Sequence, residues 1–363
     1  MSIEVQCRIA YHDNDDDEDD NDDANSTWST PLDPLRRKKC SMKGLVAVTL
    51  TVGLLTLITT GVTYPSRNVI CACQSGENAI LTDRDLYELT KSGRNFFFLE
   101  TAGSTCLNSR QSCSIESAAR QNPEFTIFLL TLWGTRRCRY LDHLKSLRNF
   151  RLARIDVNSL VNDTPLNGWY HSDAWIVSPF RTNHFSDALR LLVLWKYGGV
   201  YADLDTLVLK SVANLQNSVS RERFPLIGNS MMSFQKGHPF LLACLQEFAI
   251  NYKPRRWAYN GPRLLERVLK TWCPKEPVMQ QPYVDCADVS ILPGEAFYPV
   301  SYTEWKLPFQ ASEASHVAML LSNSYAIHLW NALSKITRIE EGSAYDVLQK
   351  NACSTTYELS LSK

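Results

Sequence analysis

The chain has 363 residues, 44% of them apolar, and its 38 Lys and Arg side chains balance 38 Asp and Glu. That length suits one large folded domain or two smaller ones, and a formal charge of zero offers no basic field for nucleic acid, which is not an expected partner. The average hides a segregation: residues 1–43 hold 11 acidic and 6 basic side chains, so residues 44–363, with 27 and 32, are net +5.

Residues 13–23 place nine carboxylates in eleven positions, a run whose self-repulsion keeps it solvated and disordered. No chemistry is assigned to it. Residues 44–63 then carry no charge over twenty positions, about 30 Å as a helix and long enough to span a bilayer. Arg36, Arg37, Lys38, Lys39 and Lys43 precede this run, which by the positive-inside rule keeps the N-terminus cytoplasmic. A cleaved signal peptide is the competing reading, but the 43 residues before the run are too many for its n-region. A buried helix is a third, because six threonines dilute the run. The expected division is a cytoplasmic disordered acidic tail with a basic flank at 1–43, a transmembrane signal-anchor at 44–64, a stem at 65–92 and a luminal domain at 93–363.

Nine of the eleven cysteines follow the anchor, as an oxidising lumen permits. Cys71 and Cys73 have neither the spacing nor the histidines of a zinc site. Disulfides are expected among Cys113, Cys138, Cys244, Cys273, Cys286 and Cys353, with connectivity open. Asn162-Asp-Thr164 is a glycosylation acceptor on the luminal side; Asn25-Ser-Thr27 has the same pattern but would be cytosolic.

Within the stem, residues 83–90 read as a helix. A short apolar run at 95–99 reads as a buried strand, 115–120 as a helix, 125–132 as the next strand and 155–157 as a third. Strand–helix alternation of this kind implies a largely parallel sheet covered on both faces, with ligands at the carboxyl ends of its strands. No Gly-rich phosphate loop is present. Later, 240–252 reads as an amphipathic helix, and 262–272 as another with Pro262 at its first position. Residues 293–308, rich in aromatics and proline, should be irregular; Tyr302, Trp305 and Phe309 there have the faces to stack on sugars, with core packing as the alternative use.

The organising stretch is 186–209. Ser186 is read as the N-cap of a helix with Asp187 in its first turn, and Gly198-Gly199 ends that helix. Residues 200–202 and 206–209 read as strand around Asp203-Leu204-Asp205. On a strand, Tyr201, Asp203 and Asp205 share one face, with the carboxylates about 7 Å apart. Such a pair suits one divalent cation and the diphosphate that it clamps. A solvated turn is the plain alternative, but an acidic pair inside so apolar a sequence is costly without a cation or donors. Glycosidase carboxylates must straddle the scissile bond, which neighbours on one strand face do not. An aspartyl-phosphate phosphatase wants Thr or Val where this chain has Leu207.

These residues carry a resemblance. Ser186-Asp187-x-x-Arg190, an apolar helix, Gly198-Gly199-x-Tyr201 and Asp203-x-Asp205 stand in the order of the α1,4-galactosyl- and α1,4-N-acetylglucosaminyltransferases, the lactosylceramide 4-α-galactosyltransferase-like glycosyltransferase family 32. Phe97-Phe98-Leu99-Glu100-Thr101, Cys113-Ser-Ile-Glu-Ser-Ala-Ala-Arg120, Gly261-Pro262-Arg263-Leu264-Leu265, the stretch from Leu292-Pro293 to Pro299, and Tyr325-Ala-Ile-His328-Leu-Trp330-Asn331 extend it over about residues 93 to 363.

The resemblance implies an α/β, GT-A-like nucleotide-sugar transferase domain with a mostly parallel central sheet, behind a single transmembrane helix in the Golgi membrane. Donor configuration would be retained. Asp205 is then the direct Mn²⁺ ligand, and Asp203 reaches the ribose and the metal. Asp187 and Arg190, one turn apart, sit on donor-sugar hydroxyls, against the alternative of a plain helical ion pair. Tyr201 contacts the nucleoside. His328 is a late ligand to the metal or diphosphate, against the alternative of a satisfied core histidine. Asn260 faces the anomeric centre, although some relatives carry Gln there, and Gly261 and Trp330 bind substrate. The expected reaction moves galactose or N-acetylgalactosamine from its UDP-sugar in α1,4 linkage onto a terminal β-linked sugar of a glycosphingolipid. The alternatives are α1,4-N-acetylglucosaminyl transfer to protein O-glycans, or an inactive sugar-binding Golgi protein.

Overall fold

The computed structural model describes residues 79–223, 226–273 and 284–362. The acidic tail, the expected anchor at 44–64, the first part of the stem, Cys71 and Cys73 lie outside the described residues. Among the described residues, no helix is long and apolar enough to cross a membrane.

Eleven strands are described: β1 Ile80–Leu81, β2 Asn95–Glu100, β3 Thr126–Thr131, β4 Phe150–Ile155, β5 Gly199–Ala202, β6 Thr206–Val208, β7 Ser218–Arg221, β8 Ile227–Phe234, β9 Val284–Cys286, β10 Val289–Leu292 and β11 Ala326–His328. Nine of them form one sheet in the order β1-β4-β3-β2-β5-β8-β7-β10-β9. Strands β1 to β5 run parallel in it, β8 is antiparallel to both β5 and β7, and β10 is parallel to β7. The sheet is thus mostly parallel, as expected. The chain moves outward from β2 to β4 and returns to the other side of β2 as β5. That reversal opens a crevice between the carboxyl ends of β2 and β5.

Every residue of β2 is buried, because the sheet is covered on both faces. Phe97 and Leu99 join one core with the Arg181–Tyr197 helix; Phe96 and Phe98 join the opposite core with the Ser109–Gln121 helix. Gly199 lets β5 lie this close to β2. Its φ is +116°, and a Cβ there would stand 2.2 Å from the Asn95 carbonyl oxygen. A third core gathers Leu207, Ile327, Phe309 and Tyr345 around a two-stranded sheet of β6 and β11.

Several boundaries differ from the sequence expectation. The folded domain starts before residue 93: β1 pairs with β4, and the Asp83–Thr90 helix buries Leu86 while Asp83 pairs with Lys196 at 2.9 Å. The third strand lies earlier than 155–157, because Asp156 accepts from the Asn158 N–H and so caps the Val157–Val161 helix. The Arg181–Tyr197 helix begins five residues before Ser186, where Ser178 Oγ accepts from the Phe180 N–H. Ser186 therefore caps nothing and is free to bond other side chains. Among the described residues the disulfides are Cys106–Cys138, Cys113–Cys353 and Cys273–Cys286; Cys106 takes the place expected of Cys244, which is a buried free thiol on the Pro239–Ile250 helix.

Candidate active site

Asp203 and Asp205 follow β5 at the crevice. They sit in a turn rather than along a strand: the Asp203 N–H donates to the Ser230 carbonyl, and the Thr206 N–H returns to the Asp203 carbonyl at 3.0 Å. The turn hands the chain from the large sheet to β6, so the alternation that put the carboxylates about 7 Å apart does not apply. Antiparallel pairing of β6 with β11 sets His328 opposite Thr206. One ligand atom from each of Asp203, Asp205 and His328 then lies within 4.8 Å of the others.

Each member is oriented by a fixed neighbour. Tyr201 Oη donates to Asp203 Oδ1, and the Asn331 N–H donates to Asp205 Oδ2 at 2.7 Å. His328 Nε2 stands 3.2 Å from Asp205 Oδ1 and 4.0 Å from Asp203 Oδ2. Trp330, at φ +52°, packs its ring edge-on to the imidazole at 4.4 Å, and its Nε1 donates to the Val300 carbonyl. Burial pushes the Asp203 carboxyl above its ordinary value, although Arg190 pulls it down. Burial alone would raise Asp205 too, but His328 and the Asn331 N–H hold it below. Burial opposes charge on His328, yet the carboxylates raise it.

Two carboxylates and an imidazole nitrogen make a donor set suited to a divalent cation. Three atoms within 4.8 Å of one another fit around a single ion, whose bonds to such donors run about 2.0 to 2.3 Å. The residues present therefore fit the divalent cation expected at Asp203-x-Asp205.

Next to this cluster lies a second one, on the buried face of the Arg181–Tyr197 helix. Arg190, 5% exposed, bonds the Ser186 hydroxyl at 3.0 Å and the Asn229 carbonyl at 2.6 Å, and lies 3.2 Å from Asp203 Oδ1. Its guanidinium also stacks over the Tyr201 ring at 4.7 Å. Flanked by carboxylates, it stays protonated, its pKa raised although burial opposes the charge. Asp187, 6% exposed, pairs with Arg190 at 3.4 Å and accepts from Asn229 Nδ2 at 2.8 Å, both through Oδ1. Oδ2 accepts no hydrogen bond among the described residues. Gly261 abuts that carboxylate so closely that a Cβ would stand 2.8 Å from both oxygens. A solvated helical ion pair does not look like this.

Other expected residues fall elsewhere. Asn260 is 1% exposed, and its amide is spent on the Lys253 backbone, accepting from its N–H and donating to its carbonyl; it closes a loop rather than facing the crevice. Tyr201 is 1% exposed, and its hydroxyl is engaged with Asp203 and Ser186. Phe309 is core, beneath the Arg110 guanidinium. Tyr302 remains partly exposed beside Trp330, with Arg223 over its ring. Asn162 is exposed. A cavity of about 450 Å³ lined by Tyr87, Lys91, Gly198 and Lys236 opens at the amino ends of β2 and β5, away from the aspartates.

Sequence reasoning missed Asn229, which faces Asp187 only because β8 pairs with β5. It missed Tyr298, whose hydroxyl accepts from the Ser230 N–H and whose ring lies 5.7 Å from His328. It also missed Glu222, just beyond β7, whose carboxyl burial raises while His328 and Arg223 draw it down. No local motif marks Asn229 or Glu222; Tyr298 lies in the matching stretch from Leu292-Pro293 to Pro299, which was not read for site residues.

Two family profiles match the chain. A glycosyltransferase sugar-binding region containing the DXD motif covers residues 108–224, and an alpha 1,4-glycosyltransferase conserved region covers 233–360. Lactosylceramide 4-alpha-galactosyltransferase of Mus musculus is 35% identical over 271 residues, 72% of this chain and 75% of that protein. The Homo sapiens enzyme of the same name is 35% identical over 272 residues, with 73% and 76% covered. Alpha-1,4-N-acetylglucosaminyltransferase of Homo sapiens is 30% identical over 283 residues, with 75% and 82% covered.

Proposed function

The chain belongs to the DXD-containing alpha 1,4-glycosyltransferase family and is a nucleotide-sugar hexosyltransferase, and from that premise we propose the donor, the acceptor and the residues that act. It transfers galactose or N-acetylgalactosamine from the UDP-sugar, with retention, in α1,4 linkage to a terminal β-linked sugar of a glycosphingolipid. It does so from a GT-A-like domain on the luminal side of the Golgi membrane, held there by a type II anchor. The observation that carries this reading is the meeting of Asp203, Asp205 and His328 beside the buried Asp187–Arg190 pair. The higher identity to the lactosylceramide enzymes than to the N-acetylglucosaminyltransferase favours a galactose-type donor and a lipid acceptor.

A divalent cation, Mn²⁺ in this proposal, would when bound supply positive charge to offset what builds on the departing UDP. Asp203, Asp205 and His328 would hold it, and Tyr201 and the Asn331 N–H orient both carboxylates. Arg190 stays charged in its buried pocket and fixes Ser186 and Asp203. Asp187, with Oδ1 engaged, turns Oδ2 toward a donor-sugar hydroxyl. Incubating the protein with UDP-Gal, UDP-GalNAc and UDP-GlcNAc against glycolipid and O-glycan acceptors tests the reading. Transfer of GlcNAc to O-glycans alone would replace it with the N-acetylglucosaminyl alternative, and no transfer from any donor would favour an inactive sugar-binding protein.

A further inference from the structure

Two loops on the Asp187 side of the crevice expose apolar groups among unpaired cations. Ile176, Val177 and Trp257 are 45%, 76% and 50% exposed. They belong to one face: Phe180 meets Trp257 edge-on at 5.2 Å, and Ser178 Oγ donates to the Pro254 carbonyl at 2.7 Å. Residues 172–183 and 251–263 contain a single acid, Asp173, against Arg181, Lys253, Arg255, Arg256 and Arg263. All five basic residues are exposed, and none has a carboxylate partner among the described residues. An ordinary solvated surface intersperses both signs and keeps Trp and Val inside.

The face is built rather than loose. His184, fully buried, reaches the Tyr252 hydroxyl at 3.1 Å and the Arg256 carbonyl at 3.2 Å, and Asn260 ties the same loop to Lys253. Trp257 is therefore held outward by a polar network beneath it. Asp187 lies six residues up the helix from Arg181, about 9 Å at 1.5 Å per residue.

We propose that this face rests on the luminal bilayer surface against anionic lipid headgroups there, so that a lipid-linked acceptor is presented at the Asp187 side of the crevice. Trp and aliphatic side chains at the headgroup level, ringed by Lys and Arg, are the composition that such an interface selects. The lipid-acceptor part of the inference rests on the glycolipid reading above; the bilayer contact does not.

The test uses the full chain reconstituted in phosphatidylcholine vesicles with and without phosphatidylserine. Amide exchange at residues 174–181 and 253–257 should slow when the anionic lipid is present. Val177→Ser/Trp257→Ser and Arg255→Gln/Arg256→Gln should each raise the apparent KM for a vesicle-borne glycolipid acceptor by about tenfold or more. The KM for the same glycan free in solution should not move. Unchanged exchange together with unchanged KM would overturn the proposal. Equal protection in concentrated lipid-free protein would also overturn it and assign the face to a second protein chain. Lipid-dependent protection in a protein that uses only soluble glycans would refute the glycolipid reading and leave the bilayer contact standing.

Discussion

A single methyl group at Gly261 tests the role of Asp187 without altering any group that does chemistry. The added Cβ would stand 2.6 Å from Asn229 Nδ2 and 2.8 Å from both Asp187 oxygens, where ordinary contact begins at 3.4 Å. The carboxylate must then withdraw by about 0.6 Å, or the Asn229 amide must leave it. Neither move is free, because Arg190 and Asn229 both hold Oδ1 of that carboxylate. Losing one hydrogen bond to a charged group costs about 1.5 to 3 kcal/mol. If Oδ2 holds a donor hydroxyl, that is roughly ten- to a hundredfold in turnover. Overpacking also lowers stability, by about 1 to 3 kcal/mol, so Gly261→Ala is assayed below its melting temperature with the melt recorded. UDP affinity should stay near wild type, since UDP lacks the sugar. Turnover within about twofold of wild type in the folded variant would refute the role of Asp187 on the donor sugar.

Asp205→Asn removes the charge between His328 and the Asn331 N–H; transfer should fall by orders of magnitude with the fold intact, and chelation of wild type should do the same. Full activity in EDTA would exclude the cation clamp. Glu116 predicts an acid limb. Burial alone would raise its pKa, but the His143 and Thr356 bonds lower it from 4.5 to about 2, so its stabilisation is present above pH 4.5 and lost as pH falls toward 2. The shift amounts to about 3 kcal/mol, and the gap in stability between wild type and Glu116→Gln should close over that window; a constant gap would contradict the assignment. For topology, glycosidase treatment should raise gel mobility and Asn162→Gln should abolish the shift, whereas unglycosylated wild type would count against a luminal domain.

What was legible in the sequence was local. Gly198-Gly199 announced the end of a helix because two positive φ values and contact with the Asn95 carbonyl leave only glycine there. Pro262 marked a helix start that the structure reproduces to the residue. Asp187 and Arg190 were visible as one helix face, but the burial that separates them from a surface pair depends on Asn229 and Gly261, distant in sequence. The break between strands at Asp203-Leu204-Asp205 was legible, but strand alternation carried across it was not valid, because β5 and β6 pair in different sheets and the chain turns between them. Asn260 was placed at the anomeric centre only by the resemblance, in which some relatives carry Gln. Its buried amide answers instead to the Lys253 backbone.

The run Cys113-Ser-Ile-Glu-Ser-Ala-Ala-Arg120 shows why a signature need not mark chemistry. None of its residues joins the cation cluster. Cys113 is bonded to Cys353, and Glu116 Oε2 accepts the Thr356 N–H at 2.9 Å, capping the Ser354–Leu361 helix. Ser117 Oγ accepts the Val208 N–H at 3.0 Å and thereby fixes β6. β6 in turn carries β11 and His328. His328 lies 123 residues beyond Asp205 in sequence, so the loop-closure entropy of bringing them together must be met by contacts outside the site. A cation site tolerates only about 0.5 Å of error in its donors. The Ser109–Gln121 helix anchors both sides of that pairing: Ser117 holds β6, and Arg110 bonds the Ser334 carbonyl at 2.7 Å, six residues beyond His328, the proposed late ligand.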